Sequence, residues 1–166
     1  MKRKDYGPND VKINKSIRIP KYKFTNIFSG FEKIAAVNAL FGGNTKRVLS
    51  KLVVKPYVGS WGYFWIDDAD KSLVCNLHYI KTADKRYVYL DVVHELVHIK
   101  QHMKGKKLFE MEDGYVNTPT EIEAYRIAVK EAKRIGMTKK EIVDYLKMEW
   151  LSAKDFKRLL KVSGVE

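Results

Sequence analysis

The chain has 166 residues, of which 45% are hydrophobic and 31% charged, and a formal net charge of +12. This length suits a single domain with its own core, and the single cysteine, Cys75, excludes an intramolecular disulfide. No apolar stretch approaches the roughly 18 residues of a membrane-spanning helix, and residues 1–14 lack the apolar core of a signal peptide. We therefore expect a cytoplasmic protein with no membrane partner.

The positive charge is distributed over several separate runs of the chain. They lie at residues 2–4, 12–23, 100–107, 130–140 and 154–161. Lysine enrichment of this dispersed kind is more typical of a solvated surface than of a nucleic-acid-binding stripe. Nucleic acid is kept as a candidate partner, bound through residues 12–23, but it is not the first expectation.

The first quarter of the chain is predicted to pass from an extended arm into a helix. Residues 1–24 are basic and interrupted by glycine and proline, which favours an N-terminal arm outside a single domain over residues 25–166. Apolar residues at near-helical spacing then predict a helix over residues 26–41, which Gly42 and Gly43 would end.

Strands are favoured in the middle of the chain. A short helix over residues 44–52 leads into an extended segment at 53–58, where Pro56 favours an edge strand. Residues 61–66 and 73–80 are rich in aromatic and β-branched side chains and are separated by an aspartate-rich turn. They are predicted to form an antiparallel pair.

Helices dominate the second half. One long helix is predicted over residues 83–103 and another over residues 119–134, with proline in its first turn. Two shorter helices open at Thr138 and Ser152 in the C-terminal segment 138–166, each with an acidic residue three positions later. The expected fold is α+β, with a small antiparallel or mixed sheet packed on the 83–103 helix and the helix that follows it.

The long helix carries the motif His94-Glu95-Leu96-Val97-His98, or HExxH. Residues four apart lie on one face of a helix, so two imidazoles can bind one ion while Glu95 reaches a water on it. Two imidazoles, a further ligand and one open position favour Zn²⁺, which lowers the pKa of bound water to about 7. His94 and His98 are therefore candidate zinc ligands, and Glu95 is the candidate catalytic base.

A catalytic zinc site needs a third protein ligand. His102 lies one turn too far along a straight helix and no histidine follows it, so the ligand is expected to be a carboxylate. The helical phase of Glu121 places it among small residues, whereas Glu123 shares a face with basic residues. Glu121 is the first candidate and Glu123 the second, although either could instead cap its helix with a preceding threonine. The other downstream candidates are Glu110, Glu112 and Asp113.

The HELVH motif, followed by Thr120-Glu121-Ile122-Glu123-Ala124-Tyr125, resembles the gluzincin clan of zinc metallopeptidases, whose second helix commonly reads ExxAD, ExEAN or ExEAY. The resemblance covers these two helices. It implies Glu121 as third ligand, since the ligand is the glutamate three before the alanine. Many members have aspartate after the alanine to support a zinc histidine, where this chain has Tyr125. In plan the chain is similar to the minimal archaeal gluzincins and to ImmA/IrrE-type regulatory peptidases.

The resemblance also implies a small sheet ahead of the HExxH helix, whose edge strand holds a peptide or protein substrate in extended form. The pair at 61–66 and 73–80 suits this role. The candidate donors to the oxyanion that forms on the substrate are His78, Tyr79, Tyr115 and Tyr125.

The sequence therefore predicts a zinc metallopeptidase, expected to be an endopeptidase, in which Glu95 takes a proton from the zinc-activated water and returns it to the leaving amine. The alternative is a non-catalytic or latent zinc-binding regulatory protein that contacts nucleic acid or a protein partner. The fourth coordination position separates the two. An open position favours the enzyme, whereas one closed by His102, Glu123 or the C-terminal tail favours the regulator.

Overall fold

The computed structural model describes residues 4–108, 112 and 114–166. Within these residues the chain forms short strands and α-helices, so the expected α+β class is confirmed. In chain order they are β1 (Lys12–Ile13), β2 (Tyr22–Lys23), α1 (Phe24–Ile27), β3 (Phe28–Ser29), α2 (Ala35–Phe41), α3 (Thr45–Lys51), β4 (Val53–Tyr57), β5 (Phe64–Ile66), β6 (Leu73–Asn76), α4 (Leu77–Thr82), α5 (Lys85–Met103), α6 (Pro119–Arg134), α7 (Lys139–Leu146) and α8 (Ala153–Ser163).

The larger sheet has the strand order β2-β4-β6-β5. Its inner pair, β4 and β6, is parallel, whereas β2 and β5 each pair antiparallel with their neighbours, so the sheet is mixed. A separate antiparallel pair joins β1 to β3. The predicted antiparallel pairing in the middle of the chain is confirmed for β5 and β6, with β5 at an edge of the sheet.

The N-terminal segment packs into the domain instead of extending away as an arm. Within residues 4–24, Val11 and Ile17 are each only 1% exposed, and β1 and β2 pair with later strands. Residues 1–3 of the predicted arm lie outside the described residues. Burial of apolar side chains and strand pairing here offset the conformational entropy that the chain loses on ordering.

The helix predicted over residues 26–41 is wrong in its first half. Gly30 adopts a left-handed φ of 92° and divides the segment into α1, β3 and, after a 3₁₀ turn, α2. A Cβ atom at this position would lie 2.8 Å from the carbonyl oxygen of Asp10. The glycine therefore permits both the turn and the close approach of the N-terminal segment.

Pro56 lies in an inner strand, although the sequence favoured an edge. The two residues of β2 pair only with Val53 and Val54. The part of β4 that contains Pro56 therefore has no strand on that side, and the missing N–H group of proline interrupts no pairing with β2.

The strand predicted over residues 73–80 is wrong beyond Asn76. The side chain of Asn76 accepts hydrogen bonds from the backbone N–H groups of His78 and Tyr79, and it thereby caps α4. Capping by asparagine outweighs the β-propensity of the residues that follow.

The helices of the second half agree closely with prediction. α5 begins two residues later than expected, and α6 has the expected bounds. The hydroxyl of Thr138 accepts from the backbone N–H of Glu141, and that of Ser152 accepts from the backbone N–H of Asp155. Both predicted caps, and the two helices that they begin, are therefore confirmed.

The central helix α5 packs against α2, α6 and β5. Most of its buried side chains are apolar, but the buried set also contains His94, Glu95, His98 and Gln101. Polar groups inside a core are costly unless they are partnered, so their concentration on one helix marks a site. No helix of the described chain is long and apolar enough to cross a membrane.

Candidate metal centre and its cleft

Three potential metal ligands from two helices converge in the core. They are His94 and His98 of α5 and Glu121 in the first turn of α6. The Nε2 atoms of the two histidines are 3.1 Å apart, and each lies 3.2 Å from one carboxylate oxygen of Glu121. All three side chains belong to residues that are more than nine-tenths buried.

These separations fit a single metal ion. Two ligand atoms bonded at about 2.0 Å to a tetrahedral ion lie roughly 3.3 Å apart, close to the observed 3.1 and 3.2 Å. Oε2 of Glu121 is buried and accepts no hydrogen bond. A buried carboxylate oxygen without a partner is costly, and a cation at this point would neutralise it. The group can therefore hold a metal ion.

Glu121 lies on the buried side of α6, as its helical phase predicts. The alternative capping box does not form, since the side chain of Thr118 accepts no hydrogen bond from the first turn of α6. Glu123 is 45% exposed at its side chain and forms an ion pair with Lys106. Of the two candidate glutamates, the structure therefore brings only Glu121 to the histidines.

The remaining candidate ligands lie elsewhere. His102 lines a surface depression with residues of α3, and Glu112 is exposed. Glu110 and Asp113 are outside the described residues. Within the part of the chain that the structure describes, the metal-binding group has three members.

Gln101 determines the orientation and the tautomer of His98. Its Nε2 donates to the carbonyl of Thr120 at 2.9 Å and to Glu123 at 2.8 Å, so its Oε1 faces Nδ1 of His98 at 2.7 Å. Because an amide oxygen only accepts, Nδ1 carries a proton, so the neutral imidazole that would bind a metal has its lone pair on Nε2. Sequence reasoning missed Gln101, although a residue three positions after His98 lies on the same helix face.

We expect Gln101→Ala to weaken metal binding about 10- to 100-fold, because the imidazole of His98 loses the partner that fixes its ring and tautomer. Competition with a chromogenic chelator measures the affinity. Lys106→Ala is the matched control, since it removes only the exposed ion pair to Glu123 and should change the affinity by no more than about twofold. Similar losses in both variants would contradict a specific role for Gln101.

His94 is held by packing rather than by a carboxylate. The ring of Tyr125 lies 4.3 Å from the ring of His94, measured between centroids, and Nδ1 of His94 has no hydrogen-bond partner. Among the described residues, an aromatic contact and no carboxylate at Nδ1 therefore orients the ring of His94.

A cleft of about 560 Å³ leads to the three ligand atoms. Strand β5 and the turn before it contribute one group of aromatic side chains, including Trp61, Tyr63 and Trp65. Met148 and Trp150, from the loop between α7 and α8, contribute another. The three candidate ligands are thus buried in the fold but reachable through a cleft lined by aromatic side chains.

Two of the four predicted oxyanion donors lie in this cleft. Tyr115 and Tyr125 line it, and their hydroxyl oxygens are 2.8 Å apart. Tyr79 instead donates to Asp91, and His78 is exposed. The structure therefore reduces the candidates to Tyr115 and Tyr125.

Glu95 also lines the cleft, and its Oε2 is buried without a hydrogen-bond partner. Burial raises the pKa of Glu95 to about 8; the positive charge of His98 opposes this shift, and the negative charges of Glu121 and Asp91 add to it. A carboxyl group with such a pKa exchanges protons near neutral pH. The site can therefore bind a cation and move a proton close to it.

Asp91, one helical turn before Glu95, is a further cleft residue that sequence reasoning missed. Its two carboxylate oxygens accept hydrogen bonds from the hydroxyls of Tyr79 and Tyr145, at 2.5 and 2.8 Å. Burial of the carboxyl group raises the pKa of Asp91 to about 7, and the two hydrogen bonds oppose the shift. The sequence contained one signal for Asp91: it lies four residues before Glu95, which places both side chains on one face of α5.

The chain matches no protein-family model, no curated protein and no solved structure. Its function is therefore inferred from the chemistry of the site. The relevant features are the three converging ligands, the carboxyl group of Glu95 and the cleft that reaches them.

Proposed function

We propose that the protein is a zinc-dependent metallopeptidase. The observation that carries this proposal is that the three metal-binding side chains and the unpartnered oxygen of Glu95 meet in one open cleft. Two imidazoles from an HExxH helix and one carboxylate form a ligand set that is typical of catalytic zinc. When bound there, zinc would polarise a carbonyl group and lower the pKa of a coordinated water.

The side chains of the protein supply the proton transfers. Glu95 takes a proton from water, the water oxygen bonds to the carbonyl carbon of the peptide, and the bond from that carbon to nitrogen breaks. Glu95 then returns the proton to the departing amine. Tyr115 and Tyr125 are the candidates to donate a hydrogen bond to the carbonyl oxygen as its negative charge develops.

An extended peptide is expected to bind along β5. One edge of this strand pairs with β6, and residues of the strand line the cleft. Backbone groups at a free strand edge can pair with an added strand whatever its sequence. This mode suits a substrate that is bound through its interior, which supports an endopeptidase.

The alternative of a non-catalytic zinc-binding regulator requires a closed coordination position. Its two proposed side-chain ligands, His102 and Glu123, lie away from the metal-binding group, and a cleft reaches that group. Both observations favour the enzyme. Binding of nucleic acid through the exposed lysines of residues 12–23 stays a separate prediction from charge.

Removal and return of the metal test the proposed function. The zinc-loaded protein is expected to cut internal bonds in a diverse peptide mixture, to stop on chelation, and to recover with one equivalent of zinc. Mass spectrometry of the products identifies the bonds that are cut. His98→Ala should not recover, because it lacks a ligand. Absence of cleavage by the zinc-loaded protein, or cleavage that chelation does not change, would contradict the proposal.

A further inference from the structure

The cleft differs in charge from the rest of the molecule. The chain contains 32 lysine and arginine residues, yet none of the described residues that line the cleft is a lysine or an arginine. The lining includes three carboxylates, those of Asp91, Glu95 and Glu121. When all three are ionised, a bound divalent ion leaves one formal negative charge, and a cation beside Asp91 would favour the ionised form of that carboxyl group. The interior of the cleft therefore favours a positively charged group.

Aromatic rings lie next to the carboxylate of Asp91. Tyr79, which donates to Asp91, stacks on Tyr63 with ring centroids 4.3 Å apart. Tyr63 in turn lies 5.6 Å from the ring of Trp150. Asp91, Tyr63 and Trp150 all line the cleft. A carboxylate beside aromatic rings can bind a cation through both charge and cation–π contact.

Asp91 retains capacity to bind a ligand. A carboxylate offers about four acceptor positions, and the hydroxyls of Tyr79 and Tyr145 occupy two of them. These bonds also fix the side chain, which lowers the entropy lost when a ligand binds. Nearby in the cleft, Oε2 of Glu95 is buried and without a partner. The polar groups here are ordered but not fully satisfied.

We propose, on the basis of the peptidase function proposed above, that Asp91, Tyr63 and Trp150 form a subsite for a lysine or arginine side chain of the substrate. Asp91 and Glu95 are one helical turn apart, which separates their Cβ atoms by about 6 Å. A lysine or arginine side chain bound by Asp91 therefore belongs to a substrate residue next to the peptide bond that is cut. The aliphatic stem of lysine or arginine would lie along the aromatic rings.

Binding to a zinc-loaded Glu95→Gln variant tests this subsite without hydrolysis. The probes are two fluorescent peptides that differ at one position, lysine in one and norleucine in the other, since norleucine keeps the aliphatic stem and removes the charge. We expect the lysine peptide to bind at least about tenfold more tightly. Adding Asp91→Asn should reduce this preference to about one, mainly by weakening the lysine peptide. Equal affinities in the parent variant would overturn the subsite.

Two further measurements separate the subsite from a structural role and from the peptidase itself. If Asp91→Asn weakens both peptides equally, Asp91 only supports the fold and the subsite is refuted. Trp150→Ala removes a ring that is 53% exposed, so the variant should fold normally. It should lower the preference for the lysine peptide about threefold. An unchanged preference would refute the aromatic contact. A lysine preference in a protein that cuts no peptide would refute the peptidase and leave the subsite standing.

Discussion

Replacing Glu95 with glutamine is expected to slow peptide hydrolysis at least about 100-fold while leaving zinc bound. The amide has nearly the same size as the carboxylate, but it cannot take a proton from water and return it to the amine. The three proposed ligands are unchanged, so the metal content should stay at one equivalent per chain. Single-turnover cleavage measures the rate, and elemental analysis measures the zinc.

Glu95→Asp provides the control for this prediction. It keeps the carboxylate but shortens the side chain by one methylene, so the proton acceptor is retained at a less favourable position. We expect a rate between those of the wild type and Glu95→Gln. If Glu95→Gln retains the wild-type rate, another group must carry the proton and the proposed mechanism is wrong.

Glu121 and Glu123, two positions apart on α6, offer a matched pair of variants that test which of them is the third zinc ligand. Glu121→Ala is expected to lower zinc affinity at least about 100-fold, beyond the usual effect of an outer partner, and to abolish hydrolysis at low zinc. Glu121 lies 3.2 Å from both histidines, whereas Glu123 pairs with Lys106. Glu123→Ala should therefore cost much less.

Chelator competition on the two alanine variants gives the zinc affinities directly. Thermal unfolding with and without zinc gives a second readout, because an ion that binds only the folded state raises the melting temperature. This rise should disappear in Glu121→Ala and persist in Glu123→Ala. The reverse order would identify Glu123 as the ligand and would require α6 to rotate from its described position.

The candidate metal ligands were predictable in part, because helical periodicity identifies the helix face on which each of them lies. His94 and His98 are four residues apart on one helix, and the face of α6 that carries Glu121 could be identified from its small neighbours. The end of α5 and the start of α6 were also predictable from nearby residues, since a lysine-rich segment follows α5 and proline lies in the first turn of α6. Residues within one or two turns of each other determine these helix faces and ends, whereas the packing of α6 on α5 brings Glu121 to the histidines.

Other parts of the fold depend on contacts between distant segments. The turn at Gly30 is required by the approach of Asp10, and no local pattern reveals that approach. Asp91 and Trp150 belong to one cleft because α7 returns to α5, where Tyr145 donates to Asp91 and Arg86 donates to Glu141. The sequence pattern could suggest a metal ligand set, but it could not indicate which aromatic side chains surround it.

The ligands of the proposed metal ion and the side chains that would touch a substrate come from different kinds of segment. Buried helices α5 and α6 provide the ligands, whereas the turn before β5 and the loop between α7 and α8 provide much of the cleft lining. Surface loops accept substitutions and changes in length far more readily than packed helices. Selectivity could therefore diverge while the chemistry is inherited unchanged, and the loop containing Met148 and Trp150 is the natural place to begin redesigning it.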